Sequence, residues 1–351
     1  MMMRLIFALL MMLSQANAQG FAGLGTAADG FAVPERNPAF TFPDDHGPHP
    51  AYRIEWWYLT ATLEGADGRD YGVQWTLFRS ALAPETSRDW TAPQLFMGHA
   101  GVTTPDAHFS AERLARGGIG QAGVTAHPFM ARIDDWQMIS TTTDGDAYDA
   151  LHLTARGADF AYDLALSAEG PLIFHGESGY SVKSAEGQAS YYYSQPFYSV
   201  AGTLDLPEGR VAVTGTAWLD REWSSQPLSA NQRGWDWFSL QFEDGSRMMA
   251  FGLRDTAGDW FTSATWIAPD GTTESYGDGY VTLTPRTWTE VAGREVPTAW
   301  RLSFPERGIE IETIPLNPQA WMNTSFAYWE GPITFTGSHT GRGYLEMTGY
   351  E

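Results

Sequence analysis

The chain is 351 residues long, enough for about two domains, and its 43% hydrophobic and 18% charged content excludes a disordered polypeptide. Forty-two acids stand against 20 arginines and a single lysine, Lys183, and the resulting net charge of -21 excludes a nucleic-acid partner held through its phosphates. No cysteine is present, which excludes disulfides, thiolate metal sites, a cysteine nucleophile and a lipid-anchored cysteine terminus.

Residues 1–18 join Arg4 to an apolar run and a small-residue site, Ala16-Asn17-Ala18, the layout of a secretory signal peptide cut before Gln19. The apolar run falls short of the roughly 20 residues of a spanning helix. The expectation is therefore an exported, periplasmic protein with no stable membrane insertion. Residues 19–50 show no periodicity and read as an extended leader, with the folded body starting near Tyr52.

From Tyr52 onward, short runs of alternating apolar and polar residues are separated by turn signals. Residues 56–63 and 71–78 flank Asp67-Gly68, residues 237–242 and 248–253 flank Asp244-Gly245, and residues 260–267 and 274–280 flank Asp270-Gly271. Two such runs around an Asp-Gly turn form a β-hairpin. Only residues 84–94 and 106–116 leave room for short helices. The fold class is all-β and antiparallel. Glu55-Trp56-Trp57-Tyr58 is echoed by Trp235-Asp236-Trp237-Phe238, and Gly176-Glu177-Ser178-Gly179-Tyr180 by Thr340-Gly341-Arg342-Gly343-Tyr344. These echoes divide the body into halves at 51–200 and 201–351, as tandem barrels or sandwiches. Eight-stranded barrels are the form that encloses one small ligand.

Several motifs carry a resemblance. They are Glu55-Trp56-Trp57-Tyr58, Gln74-x-Thr76-x-Phe78-Arg79, His175-Gly176-x-x-Gly179-Tyr180-Ser181-x-Lys183, Gly215-x-Ala217-Trp218-Leu219-Asp220-x-Glu222-Trp223, Gly234-Trp235-Asp236-Trp237-Phe238 and Gly343-Tyr344-Leu345-Glu346-Met347-Thr348-Gly349-Tyr350. Together they resemble the AttH-like family of secreted lipocalin-like proteins, related to the bacterial carotenoid 1,2-hydratases. The resemblance implies two packed lipocalin-like barrels, no cofactor, and for some members an association with an ABC-type permease. It also places Trp218-x-Asp220 on the aromatic-x-Asp acid motif of the hydratases, with Asp220 as proton donor. The hydratases carry Tyr in the place of Trp218, and a His-x-Trp pair where this sequence has Tyr191-x-Tyr193.

Side chains alternate along a strand, so Trp218, Asp220 and Glu222 share a face opposite Leu219, Arg221 and Trp223. A carboxylate between tryptophans is partly desolvated, which raises its pKa and poises it to donate a proton. Protonating an alkene gives a carbocation that aromatic faces stabilise before water adds. Asp220, Trp218 and Glu222 are thus the catalytic candidates, the two carboxylates against an ion-pair or hydrogen-bond role with Arg221, Arg233 or a strand end, or the orientation of a polar ligand. Tyr191, Tyr193, Trp235, Trp237, His175 and Lys183 are the ligand-binding candidates, each with a packing or hydrogen-bonding alternative. At least one of the adjacent Trp56 and Trp57 belongs to packing.

Other site chemistry is thin. Of eight histidines only His46-x-x-His49 are closely spaced, and they lie among prolines in the leader, so no metal site is expected. No Gly-x-Ser-x-Gly elbow or phosphate-binding glycine loop occurs. Three functions remain: binding an apolar isoprenoid or lipid, a cofactor-independent hydratase, isomerase or cyclase acting on such a molecule, or an accessory subunit of a lipoprotein or lipid exporter.

Overall fold

The structure, a computed structural model, describes residues 28–84, 89–226 and 228–350. The expected signal segment, 1–18, lies outside them.

The first sheet holds β1 (Ile54–Gly65), β2 (Asp70–Ala81), β3 (Gln94–Thr103), β4 (His108–Arg116), β5 (Ala122–Ala126), β6 (Phe129–Ile133), β7 (Trp136–Ser140), β8 (Ala150–Arg156), β9 (Ala161–Ala168), β10 (Ile173–Phe174), β11 (Tyr180–Val182), β12 (Ala189–Leu206) and β13 (Gly209–Ser224). The second holds β14 (Gln232–Phe242), β15 (Arg247–Asp255), β16 (Trp260–Ile267), β17 (Thr273–Tyr276), β18 (Thr282–Val291), β19 (Arg294–Phe304), β20 (Ile309–Pro315), β21 (Trp321–Met322), β22 (Tyr328–Gly337) and β23 (Gly341–Met347). Both are antiparallel, the first a nearly closed barrel and the second a half-barrel. The Asp-Gly turns form as the sequence predicts, with Gly68 at φ 77° and Gly245 at φ 87°, a backbone region that glycine enters without steric cost.

The short helix that 106–116 had room for does not form. Residues 108–116 are β4, paired with β3 from His108↔Thr103 to Arg116↔Leu95, and this ladder overrides a helix-like spacing. The described part of 84–94 holds no helix. Among the described residues, helical turns occur only as 3-10 segments at Asp44–His46 and Pro305–Arg307.

The division near residue 201 is also corrected. β12 passes through it unbroken, with Gly202 facing Leu164 of β9 on one side and Val213 of β13 on the other. The turn signal that follows, Pro207-Glu208-Gly209, closes a hairpin inside the first sheet. The chain crosses between sheets at residues 225–231, so the sheets span 54–224 and 232–347.

Alternation divides each strand between two environments. Trp57, Leu59 and Leu63 of β1, with Leu219 and Trp223 of β13, fill the first barrel. Phe238, Leu240 and Phe242 of β14 fill the second sheet's concavity. The opposite faces meet in a third cluster that includes Tyr58, Tyr192, Trp218 and Trp237. Gly72 permits this approach, because a Cβ there would lie 2.5 Å from Pro332 Cγ of the other sheet.

The described part of the leader, residues 28–50, is not a detached extension. Phe40 and Phe42 pack on the first barrel's core, His46 stacks on Tyr148 with ring centres 3.7 Å apart, and His49 stacks on Trp223 at 3.9 Å. Beneath it Glu55 bridges Arg79 and Arg221 in a buried cluster. Burial alone would raise the Glu55 carboxyl, but Arg79, Arg221 and His49 hold it well below the ordinary carboxylate range. The segment lacks periodicity because ring stacking and hydrogen bonds hold it, not strand pairing.

Candidate active site

The two sheets enclose a cleft of about 750 Å³, its open mouth included. The first sheet contributes Trp56 and Tyr58 from β1, Phe78 from β2, Tyr192 from β12, and Asp220 and Glu222 from β13, with Lys183 beyond β11. The second contributes Trp235 and Trp237 from β14, Phe251 and Leu253 from β15, and Glu346 from β23. The lining is mainly aromatic, with a few convergent polar groups, which is the general character of a small-molecule site.

Asp220 is 2% exposed and held by three donors. Tyr192 Oη donates to Oδ2 at 2.6 Å, Trp218 Nε1 to Oδ1 at 2.5 Å, and Ser194 Oγ also to Oδ1. Burial pushes the carboxyl up to about 7 against the pull of these three bonds, which favour the ionised form. Near neutral pH it therefore exists as both acid and carboxylate. Glu222 is ion-paired instead, with Lys183 Nζ 2.9 Å from its Oε1, and Ser190 donates to the same oxygen. The ammonium stands 4.2 Å from the ring centre of Phe251 and 4.7 Å from that of Tyr192. Glu346 is half-buried, receives Trp235 Nε1 at 2.7 Å, and is likewise pushed up to about 7 by burial.

The AttH-like family model matches residues 33–350. The chain belongs to the AttH-like family. A crystal structure described as an AttH from Nitrosomonas europaea is 33% identical, with a TM-score of 0.81, over 92% of this chain and 100% of that one. Kievitone hydratase from Nectria haematococca has a TM-score of 0.67 at 16% identity, over 91% of this chain and 95% of that one, a likeness of fold. No curated protein sequence matches the chain. The AttH-like match establishes the two-domain lipocalin-like fold implied by the motifs.

In this AttH-like chain Asp220, Glu222, Lys183, Trp235 and Trp237 share the cleft. Trp218 lies behind the wall, 1% exposed, as the donor to Asp220. His175 is also behind it. Its Nε2 lies 2.6 Å from Ser194 Oγ and its Nδ1 2.9 Å from Thr265 Oγ1, and burial, with Lys183 nearby, holds its pKa well below the ordinary value. Tyr191 and Tyr193 are not in the cleft. They face Trp223 and Arg221 across the β12–β13 ladder and pack against Phe40 on the barrel side, whereas Tyr192 faces Glu222 and lines the cleft. The ion-pair alternative for Asp220 through Arg221 fails for the same reason, since Arg221 points inward to Glu55.

Sequence reasoning did not single out Tyr192, Tyr58, Phe78, Phe251 or Glu346 as site residues. Tyr192 gave no signal, because alternation counted from the β12–β13 hairpin would set Tyr193 opposite Glu222, and an irregularity between Gln195 and Tyr198 shifts the register by one. Glu346 lies in one of the family motifs, but its place in the cleft depends on β23 pairing with β14 more than 100 residues away.

Proposed function

We propose that this protein binds a neutral, apolar, alkene-bearing molecule of the isoprenoid or lipid class between its two sheets and adds water across the alkene. The observation that carries this reading is Asp220, a buried carboxyl held by three hydrogen-bond donors on an aromatic wall, with no cation bonded to it among the described residues and with burial raising its pKa. Such a group can protonate a carbon that water would not. The faces of Trp56, Tyr58 and Trp237 can then stabilise the resulting cation. Because Glu222 neutralises Lys183, the cleft presents no free cation to attract a phosphate ester. The fold shared with an enzyme named a hydratase supports the choice of reaction, and the export expected from residues 1–18 would place the activity in the periplasm.

The test begins with mass spectrometry of lipids extracted from the purified native protein, followed by binding of farnesol, a neutral molecule with trisubstituted alkenes. Binding should quench tryptophan fluorescence and change little with salt, since the contacts are apolar. Tight binding limited to anionic or sugar ligands, with steep salt dependence, contradicts the proposal.

A further inference from the structure

In hydration the attacking water must release a proton as its C–O bond forms, and a carboxylate on the wall facing the spent acid can take it. We infer that Glu346 is that group, the base of an Asp220–Glu346 acid–base pair that the pseudo-symmetry of the two sheets places on facing walls of one cleft. The inference rests on the hydratase reading of the cleft.

The pseudo-symmetry is visible in the registers. β13 lies beside β1, the first strand of its sheet, and β23 beside β14, the first strand of the other. Asp220 is the partner of Tyr58, which faces Thr76 on β2. Glu346 is the partner of Trp237, which faces Phe251 on β15. All six residues line the cleft. Each carboxyl is held by an indole, Trp218 for Asp220 at 2.5 Å and Trp235 for Glu346 at 2.7 Å. Of the hairpin echoes in the sequence, the tryptophan one runs a residue out of step with this symmetry, because it sets Tyr58 against Phe238 whereas the registers set Tyr58 against Trp237. The glycine-tyrosine echo does not match it either, because Tyr180 opens β11 while Tyr344 lies within β23.

Among the described residues, neither Asp220 nor Glu346 has an arginine or lysine partner, and Lys183 is engaged with Glu222. Two carboxyls sharing an apolar cleft without a cation disfavour double ionisation, so one proton on the pair is the favoured state near neutrality. The groups facing Glu346 are Tyr58 from β1, Glu330 and Tyr328 from β22, Asp220 and Glu222 from β13, and Lys183 through Glu222. Burial raises the Glu330 carboxyl well above its ordinary value, its Oε1 receives Tyr58 Oη at 2.5 Å, and it is fully buried outside the cleft lining, so it does not compete as a base. Asp220 is enclosed by three donors, whereas Glu346 is the more exposed of the two and is reached by water.

In the step itself, the Asp220 O–H bond breaks and its proton forms a C–H bond with one alkene carbon. The π pair is consumed, leaving a cation on the more substituted carbon. Water forms the C–O bond, and its proton passes to the Glu346 carboxylate. The pair keeps its proton count, and exchange with water in the emptied cleft returns the proton to Asp220.

The test has two arms on the full chain. In the first, carbon-13 NMR of Asp and Glu carboxyls follows their titration in the parent, Asp220→Asn and Glu346→Gln proteins. Coupling predicts that the Glu346 midpoint moves to lower pH in Asp220→Asn, and the Asp220 midpoint likewise in Glu346→Gln. Unmoved midpoints overturn the pair whatever the protein turns over. In the second arm, with farnesol as substrate, Glu346→Gln should lower turnover about 100-fold and remove one limb of the pH–rate profile, with Glu346→Asp restoring part of both. Parent-like turnover in Glu346→Gln, with Asp220→Asn still impaired, overturns the base role and leaves the hydratase reading standing. Parent-like turnover in Asp220→Asn defeats the hydratase reading itself.

Discussion

The Tyr192 hydroxyl donates to Asp220 Oδ2 at 2.6 Å and accepts from the Trp237 indole at 3.1 Å, so one hydroxyl joins the buried acid of the first sheet to the wall of the second. Removing it with Tyr192→Phe takes away a donor that favours the ionised carboxylate. The Asp220 midpoint should rise above about 7. Stability should fall by about 1–2 kcal/mol, because the Trp237 N–H loses its acceptor. Carboxyl titration and urea unfolding check both, and an unmoved midpoint would show that the bond does not control the acid.

Asp220 also makes a prediction about stability and pH. Its folded pKa, about 7, lies above the ordinary 3.8, so between those values the folded protein keeps a proton that the unfolded chain has lost. The contribution is full below about pH 4 and is lost as pH rises through 7. Asp220→Asn has no such loss, so its stability relative to the parent should rise with pH by on the order of 4 kcal/mol. Taking the difference between the two proteins cancels the buried His46 and His99, which bond elsewhere and whose lowered pKa values act in the opposite sense. Urea unfolding at pH 4.5 and pH 8 measures it, and a difference independent of pH contradicts the prediction.

Glu55→Gln would leave Arg79 and Arg221 buried without their shared carboxylate. The expected cost is about 3–5 kcal/mol. A loss below about 1 kcal/mol in urea unfolding would mean that the cluster is open to water.

Trp235 and Tyr193 separate cleft from core. Trp235→Ala should weaken farnesol binding on the order of tenfold. Tyr193→Phe removes the hydroxyl bonded to His46 Nδ1 at 2.7 Å inside the first barrel, and should lower the melting temperature without changing that affinity. Equal binding losses in both variants would place the ligand inside the barrel.

The sequence made the strand alternation of Trp218, Asp220 and Glu222, and of Trp235 and Trp237, legible because each set follows a two-residue period on a single strand. Tyr191-Tyr192-Tyr193 offers no contrast between faces, and only the register with Glu222 and Arg221 decides which ring enters the cleft. The domain division rested on the echoes, which show that two segments are alike without saying where one sheet ends, and β12 runs unbroken through residue 201. Likewise, the close spacing of His46 and His49 showed neither the Tyr148 ring nor the Trp223 ring on which they stack.

The central claim is that Asp220 protonates an apolar alkene held between the sheets. It is tested most directly by incubating farnesol with the parent and Asp220→Asn proteins in oxygen-18 water and measuring label in a tertiary alcohol. The expected result is label incorporated by the parent and about 100-fold less by the variant, with tryptophan quenching by farnesol unchanged between them. Equal incorporation by the two proteins, or none by either, contradicts it.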